Sequence, residues 1–239
     1  MRERVPLFAG LALLAIAVVV GSLFIAGGIR DRNRTDVITV TGSAKARIVS
    51  DYIVWDASLT GQGSSPAAAS AQLSAWTSRV SEFFRQQGVV AAELTVEPIS
   101  TESPGSVNDN GVRVTGYRLT RSFEIRSSRV ASIATVAERS SSLLAQGVPL
   151  AADPPQYVYT KLPGLRPRLL AAATRDAQAR ARVLVAASGA KLGKLRGVNV
   201  GVFQISSPNS TDVSDYGVYD TTTLRKDVTA VVNVTFALS

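Results

Sequence analysis

Any chemistry in this chain must come from a short list of side chains, because the sequence contains neither histidine nor cysteine. That excludes a histidine general base, a cysteine nucleophile, and any metal site built on imidazole or thiolate. Carboxylates, Ser/Thr, Tyr, Lys and Arg remain, which leaves a carboxylate metal site or a Ser–Lys pair as the open options. No convergent motif of either kind is legible, so no catalytic residue, metal or cofactor is assigned. Three residues qualify as binding candidates. Arg121 falls by parity on the apolar face of an alternating strand that also presents Tyr117, Leu119, Phe123 and Ile125. Such an arginine grips a carboxylate or another anionic ligand, or it marks a bulge or sheet edge where the side chain reaches water; the second reading is preferred. Tyr216 and Tyr219 lie in a long polar stretch, residues 206–223. Aromatic residues are enriched at interfaces, and loops of this length inside compact domains are either functional or unstructured, so both readings stand.

The segment Gly61-Gln62-Gly63-Ser64-Ser65-Pro66 follows a strand and opens a helix, the context of a dinucleotide fingerprint. Pro66 occupies the third glycine position, however, and no acidic residue closes a parallel strand about twenty residues on. A flexible turn with a helix cap accounts for the segment better.

The elements that must position these residues can be read from periodicity. Ile38, Val40, Gly42, Ala44, Ala46 and Ile48 alternate with polar residues, as do Ile53, Trp55, Ala57 and Leu59. Joined by a turn at Val49-Ser50-Asp51, the two strands read as a hairpin. Ser65 and Pro66 suit the cap and first turn of a helix that presents Leu73, Trp76, Val80, Phe83 and Phe84 on one side and stops at Gly88. A short strand at 94–96 and a Ser/Pro/Asn/Gly loop precede the Arg121 strand. Ser127 or Ser128 caps a second helix that buries Val130, Ile133, Ala137 and Leu144 and ends at Gly147. After a short strand at 157–160, a third helix is expected over 165–188, with Pro167 in its first turn because an interior proline costs about 3 kcal/mol. Its inner face is Ala173, Ala177, Ala181 and Leu184, and small residues there imply close approach to whatever they cover. Val198, Val200 and Val202 share a face of the next strand, and Val228, Ala230, Val232, Val234, Phe236 and Leu238 all point one way in the last. The order is an α+β fold of two layers, with a mixed, mostly antiparallel sheet or sheets and helices on one face.

Residues 5–29 carry no charge, a run of about 25 residues, and about 20 helical residues span a bilayer core. This reads as one N-terminal transmembrane helix, an uncleaved signal anchor, with Ala26-Gly27-Gly28 as a weak candidate for a cleavage site. Arg2 and Arg4 precede the run and Arg30, Arg32 and Arg34 follow it, so charge does not choose the orientation. The net charge of +8 is spread along the chain without a basic block, so no nucleic-acid partner is expected.

The order and spacing of several motifs resemble those of the SIMPL-domain (DUF541) family. Ile38-Thr39-Val40-Thr41-Gly42-Ser43-Ala44 is similar to the family's first strand, and Gly116-Tyr117 opens a strand and helix like those in its middle. Ala172-Ala173 through Asp176-Ala177, Ala181 and Ala186, ending Ser188-Gly189-Ala190-Lys191-Leu192-Gly193-Lys194, looks like its alanine-rich helix and following turn. The resemblance covers about residues 37–239. It departs at Ser50-Asp51, where the family often has Pro-Asp, and at Ser127-Ser128-Arg129, where an acidic start is usual. The resemblance implies an exported bacterial envelope protein of a poorly understood kind, with members linked to stress tolerance or surface antigenicity and others assembled into rings or channels. It supplies no catalytic residues. The expected organisation is an anchor and linker over 1–35 and a SIMPL-like domain over 36–239, with two small α+β subdomains as the alternative division. The N-terminus is placed in the cytoplasm and the main domain on the periplasmic side of the inner membrane. Function is expected through homo-oligomer or partner contacts, the protein partner being unidentified; a periplasmic module for a small anionic or cell-wall ligand is the alternative, and a hydrolase the least favoured. If the last strand lies at a sheet edge, it and the Tyr216/Tyr219 loop form the self-association surface; if it is central, they do not.

Overall fold

The computed structural model describes residues 36–107, 110–111, 115–211 and 214–239. The expected membrane segment at 5–29 lies outside the described residues, and among the described residues no helix is long and apolar enough to cross a membrane. In chain order the strands are β1 (Val37–Val49), β2 (Tyr52–Gly63), β3 (Leu94–Val96), β4 (Ser100–Glu102), β5 (Tyr117–Ser127), β6 (Ala151–Ala152), β7 (Gln156–Val158), β8 (Leu192–Val200), β9 (Gln204–Ser206) and β10 (Arg225–Leu238). Among the described residues the helices are α1 (Pro66–Gln86), α2 (Val130–Arg139), α3 (Ser141–Ala145) and α4 (Leu162–Ser188), and a 3-10 turn occupies Ala91–Glu93. The result is an α+β fold with antiparallel sheets.

Two compact units are present. The first comprises the described residues up to Ala44 together with Leu170–Gly201 and Val231–Ser239; the second comprises Lys45–Leu169 and Val202–Ala230. The division does not follow the halves of the sequence, because both ends of the described chain contribute strands to the first unit.

In the first unit β10 lies between β1 and β8. The alternation of β1 is realised residue by residue, with Val40 and Gly42 buried and Thr39, Thr41 and Ser43 exposed. The C-terminal part of α4 covers this sheet with Ala173, Ala177 and Ala181, all fully buried against Val40, Val232, Val234 and Phe236. The approach is so close that a Cβ on Gly42 would overlap the carbonyl oxygen of Ala173 and the amide nitrogen of Ala177. Asp176, on the same helix, accepts the Ser43 N–H at 2.8 Å and pairs with Arg180 at 2.9 Å. Leu184, expected on the inner face, is 53% exposed, and Val185 is buried instead. Val185 continues the i+4 row Ala173–Ala177–Ala181, and this row, not the i+3 position, follows the sheet.

In the second unit β5 and β2 pair over their whole length, from Ile53↔Ser127 to Gly63↔Tyr117, in a sheet of order β3-β5-β2-β6. Its core is made of large residues: Trp55, Leu59, Leu73, Phe84, Phe123 and Ile133 are each no more than 1% exposed. Ser65 caps α1 by accepting the Ala68 N–H at 3.2 Å, and Gly88 (φ +77) ends the helical stretch in a left-handed conformation. Gly61 and Gly63 let α1 lie close, since a Cβ on either would come within 2.6 or 2.7 Å of the Ala69 backbone. The glycine pair therefore serves helix–sheet packing, and the antiparallel neighbour of β2 is not the parallel strand a dinucleotide site requires.

Several expectations are corrected. β1 and β2 form no hairpin, because they belong to different sheets. The turn between them is tied elsewhere: Ser50 N–H donates to Leu224 O and Asp51 N–H to Val158 O. α4 starts at Leu162, so Pro167 lies past its first turn and leaves the Pro163 carbonyl without its helical donor. In the second helical segment Leu144 is 67% exposed and Leu143 is buried, because the helix breaks at Ser140, whose hydroxyl donates to Ala137 O. The expected serine cap of α2 is absent: Arg129 occupies the cap position without a side-chain cap bond, and Ser127 Oγ accepts only the Arg129 N–H, at 2.9 Å, one residue ahead of the helix. Of the two placements left open for the last strand, the central one holds: β10 lies between β1 and β8 and offers no free edge.

Candidate functional site

The long polar stretch at 206–223 is held on the second unit by several sets of contacts. β9 pairs antiparallel with β10, Ile205 opposite Val228. Gln204, buried beneath the loop, uses its amide as a fork: Nε2 donates to Ser214 O at 2.6 Å, and Oε1 accepts the Val218 N–H at 2.9 Å. Tyr219 bridges Ile205, and its hydroxyl accepts the Tyr159 N–H at 3.3 Å. Another set centres on a buried carboxylate. Asp227 is 1% exposed and accepts from Arg47 Nε at 2.9 Å, from Lys45 Nζ at 3.5 Å and from the Asn209 N–H at 3.5 Å. The hydrogen bond from Arg47 holds the Asp227 carboxyl down at about 2 against the opposing effect of burial, helped by Asn209 and the positive charges of Arg47 and Lys45.

Lys226 points the other way and is fully buried, with its ammonium donating to Thr223 O and lying 3.7 Å from Asp220. Burial pushes this lysine below its ordinary range, and Asp220 works in the opposite direction. Burial also acts to raise Asp220, but donors from Thr223 and Thr222 and the Lys226 charge bring it below the usual carboxylate range. A lysine enclosed in this way has no access to a substrate; its chemistry is to fix the loop's end to β10.

So anchored, the loop forms one wall of an open cleft of about 320 Å³ lined by Arg166, Val202, Phe203, Ile205, Tyr216, Gly217, Val218 and Tyr219. Gly217 (φ +88) makes the left-handed turn between the tyrosines, and a Cβ there would stand 3.0 Å from the Phe203 carbonyl oxygen. Tyr216 is 98% exposed. The Arg166 guanidinium lies over the Phe203 ring, 5.6 Å from its centroid.

Of the three candidates read from the sequence, the structure brings Tyr216 and Tyr219 into this cleft and leaves Arg121 on another sheet. Arg121 faces Leu59 in unbroken register, which rules out a bulge at that position. Its Nη1 donates to Glu97 O at 3.2 Å, between β3 and β4, where the Glu97 N–H also donates to Ser122 O of β5 at 3.0 Å. Its Nε is buried without a partner. The arginine reaches out between two short strands and is used by the fold. Sequence reading missed Arg166, Phe203 and Gln204. No spacing links an arginine at the start of α4 to a phenylalanine beside β9. For Lys226 and Asp227 there was a signal: they are charges at the start of a strand with one apolar face, and Lys226 is in phase with Val228 and Ala230 on that face. Among the described residues no group of three or more carboxylates could hold a metal ion.

A family model described as SIMPL, a protein of unknown function (DUF541), matches residues 38–236 of the chain. No curated protein matches it.

Proposed function

The chain belongs to the SIMPL (DUF541) family, and from that premise we propose that it is an exported, membrane-anchored envelope protein that works by self-assembly and has no catalytic role. The anchor rests on the uncharged run at 5–29. Assembly rests on the border of the sheet in the first unit. Leu195, Val198 and Val200 of β8 stand opposite Phe236, Val234 and Val232 of β10 and so share their face. The three β10 residues are buried, yet their β8 partners are 53, 45 and 48% exposed. The apolar face thus continues past the part that α4 covers.

Edge-to-edge strand pairing is opposed here, because the β8–β10 register shifts twice and Lys194 and Arg196 lie on β8. Contact through the face is the better geometry. The occupant we favour is a second copy of this chain, since an uncharged apolar strip is self-complementary and a two-fold contact needs nothing more.

The test is the mass of the full chain in detergent over a concentration series, for the parent and for V198D/V200D. The parent is expected to associate, and the double variant to associate about tenfold or more weakly, because it buries unpaired charge. A parent that stays monomeric at high micromolar concentration removes self-assembly; an oligomer indifferent to the variant moves the interface off β8. A periplasmic reporter fused after Ser239 tests the location, and a silent one overturns it.

A further inference from the structure

We infer that the cleft beside α4 in the second unit binds a small carboxylate-bearing ligand, with Arg166 as the residue that grips it. The fold has prepared the arginine for this. The Phe203 ring, 5.6 Å from the Arg166 guanidinium carbon, holds the cation on its aromatic side, and a guanidinium so placed keeps N–H donors for a ligand. Arg166 is exposed on the helix and makes no ion pair with any described carboxylate. Its planar donors match the two oxygens of a carboxylate.

The rest of the cleft suits the ligand's body. Val202, Ile205 and Val218 give an apolar lining, and the Tyr216 ring stands free beside it. Nothing in the fold accounts for so exposed an aromatic on so firmly tied a loop. The Gln204 fork, the Tyr219–Tyr159 contact and the Asn209–Asp227 contact hold that wall in place before any ligand arrives, which lowers the ordering cost of binding. About 320 Å³ is at the small end of ligand sites, enough for a single ring or a terminal residue. A sugar acid and a peptide C-terminus share the required chemistry, and the experiment separates them. The inference goes beyond self-assembly and is independent of it: a monomer can carry the cleft, and an oligomer can form with the cleft empty.

Galacturonate and N-acetyl-alanyl-alanine are titrated calorimetrically into the detergent-extracted full chain, beside the neutral analogues galactose and N-acetyl-alanyl-alaninamide. At least one carboxylate is expected to bind, and its neutral analogue about tenfold or more weakly, as expected when a charged hydrogen-bond partner is lost. R166Q should lose affinity to the same extent, and R166K should fall between, because lysine keeps the charge and cannot reproduce the planar two-donor fork. R175Q removes an equal charge from an exposed part of the same helix and should bind as the parent does. Circular dichroism checks that R166Q remains folded. Whichever carboxylate binds identifies the source. Binding of neither, equal binding of neutral and charged forms, loss in R175Q equal to that in R166Q, or an R166Q variant that binds like the parent would each overturn the site.

Discussion

The two units pack a helix on a sheet by opposite means. In the second, α1 rests on Trp55 and Phe123 through Phe84, with ring centroids 5.9 and 5.7 Å apart and near-perpendicular planes. Large side chains fill the space between the layers. In the first, α4 rests on β1 and β10 through three alanines, and at Gly42 only the Ala177 methyl group and the helix backbone stand against the strand. A thick layer can redistribute volume among flexible side chains. A thin one puts backbone against backbone, and nothing in it can yield. Tolerance to substitution should therefore track what lies between the layers and not the size of the change.

The largest effects test this directly. Phe84→Ala should cost about 3–5 kcal/mol, the usual penalty for a large core cavity. Phe84→Leu keeps most of the volume and should cost less than about 1.5 kcal/mol. Gly42→Ala adds one methyl group, yet that carbon would overlap the Ala173 carbonyl, so a cost of about 1–3 kcal/mol is expected. Denaturant titration of the full chain reads these changes. The fluorescence of Trp55 and Trp76 reports the second unit, and hydrogen exchange at Val232–Phe236 reports the first. If Gly42→Ala proves milder than Phe84→Leu, the contrast between thick and thin layers is wrong.

Legibility in the sequence followed the same division. Strands with a period of two, the Ser65 cap and the glycine stops at Gly88 and Gly189 are local signals, and the structure repeats them. The alanine row of α4 even gave the closeness of its packing. Partnership between strands was not legible: β1 alternates as a hairpin arm would, but its neighbour is β10, at the far end of the chain. The candidate site divided likewise. Tyr216 and Tyr219 stood out because aromatic residues are odd in a polar loop. Arg166 looked like any exposed arginine near a helix start, and only the fold sets it over Phe203. Arg121 broke an apolar pattern and so attracted attention, but the break reflects a gap between β3 and β4 that no periodicity reveals.

A smaller difference between the units should appear in acid. In the second unit, Asp227 is held at about 2 chiefly by the Arg47 hydrogen bond, and Glu93 is held at about 2 chiefly by Arg129. In the first, Asp176 is lowered, chiefly by the Ser43 N–H. A carboxylate whose folded value lies below its unfolded value, about 4, binds fewer protons when folded. Its stabilising contribution is complete above about pH 4 and is lost as the pH falls through the folded value, about 2 for Asp227. Hydrogen exchange in β9 and the start of β10 should accelerate over that window before exchange at Val232–Phe236 does. Asp227→Asn should show the faster exchange already at neutral pH and should differ little from the parent at the acid end. Equal acceleration in both units would place the acid sensitivity elsewhere.

The least effect on stability is expected at Arg121, where the thick layer meets its own irregularity. Arg121→Leu removes one hydrogen bond, but the acceptor, the Glu97 carbonyl, sits on an exposed residue that water can serve. The same change removes a buried Nε that has no partner, a group that costs about 1–3 kcal/mol to leave unsatisfied. It also places an apolar side chain directly across from Leu59, on a face that includes the buried Leu119, Phe123 and Ile125. These contributions oppose one another, so the net change should lie within about 1 kcal/mol of zero, as the Trp fluorescence titration will show. Because a layer of large side chains absorbs the exchange, no compensating shift should appear at Gly42. A loss well beyond that range would mean that the Glu97 contact holds β3 and β4 on β5, and that this arginine supports the sheet instead of merely escaping from it.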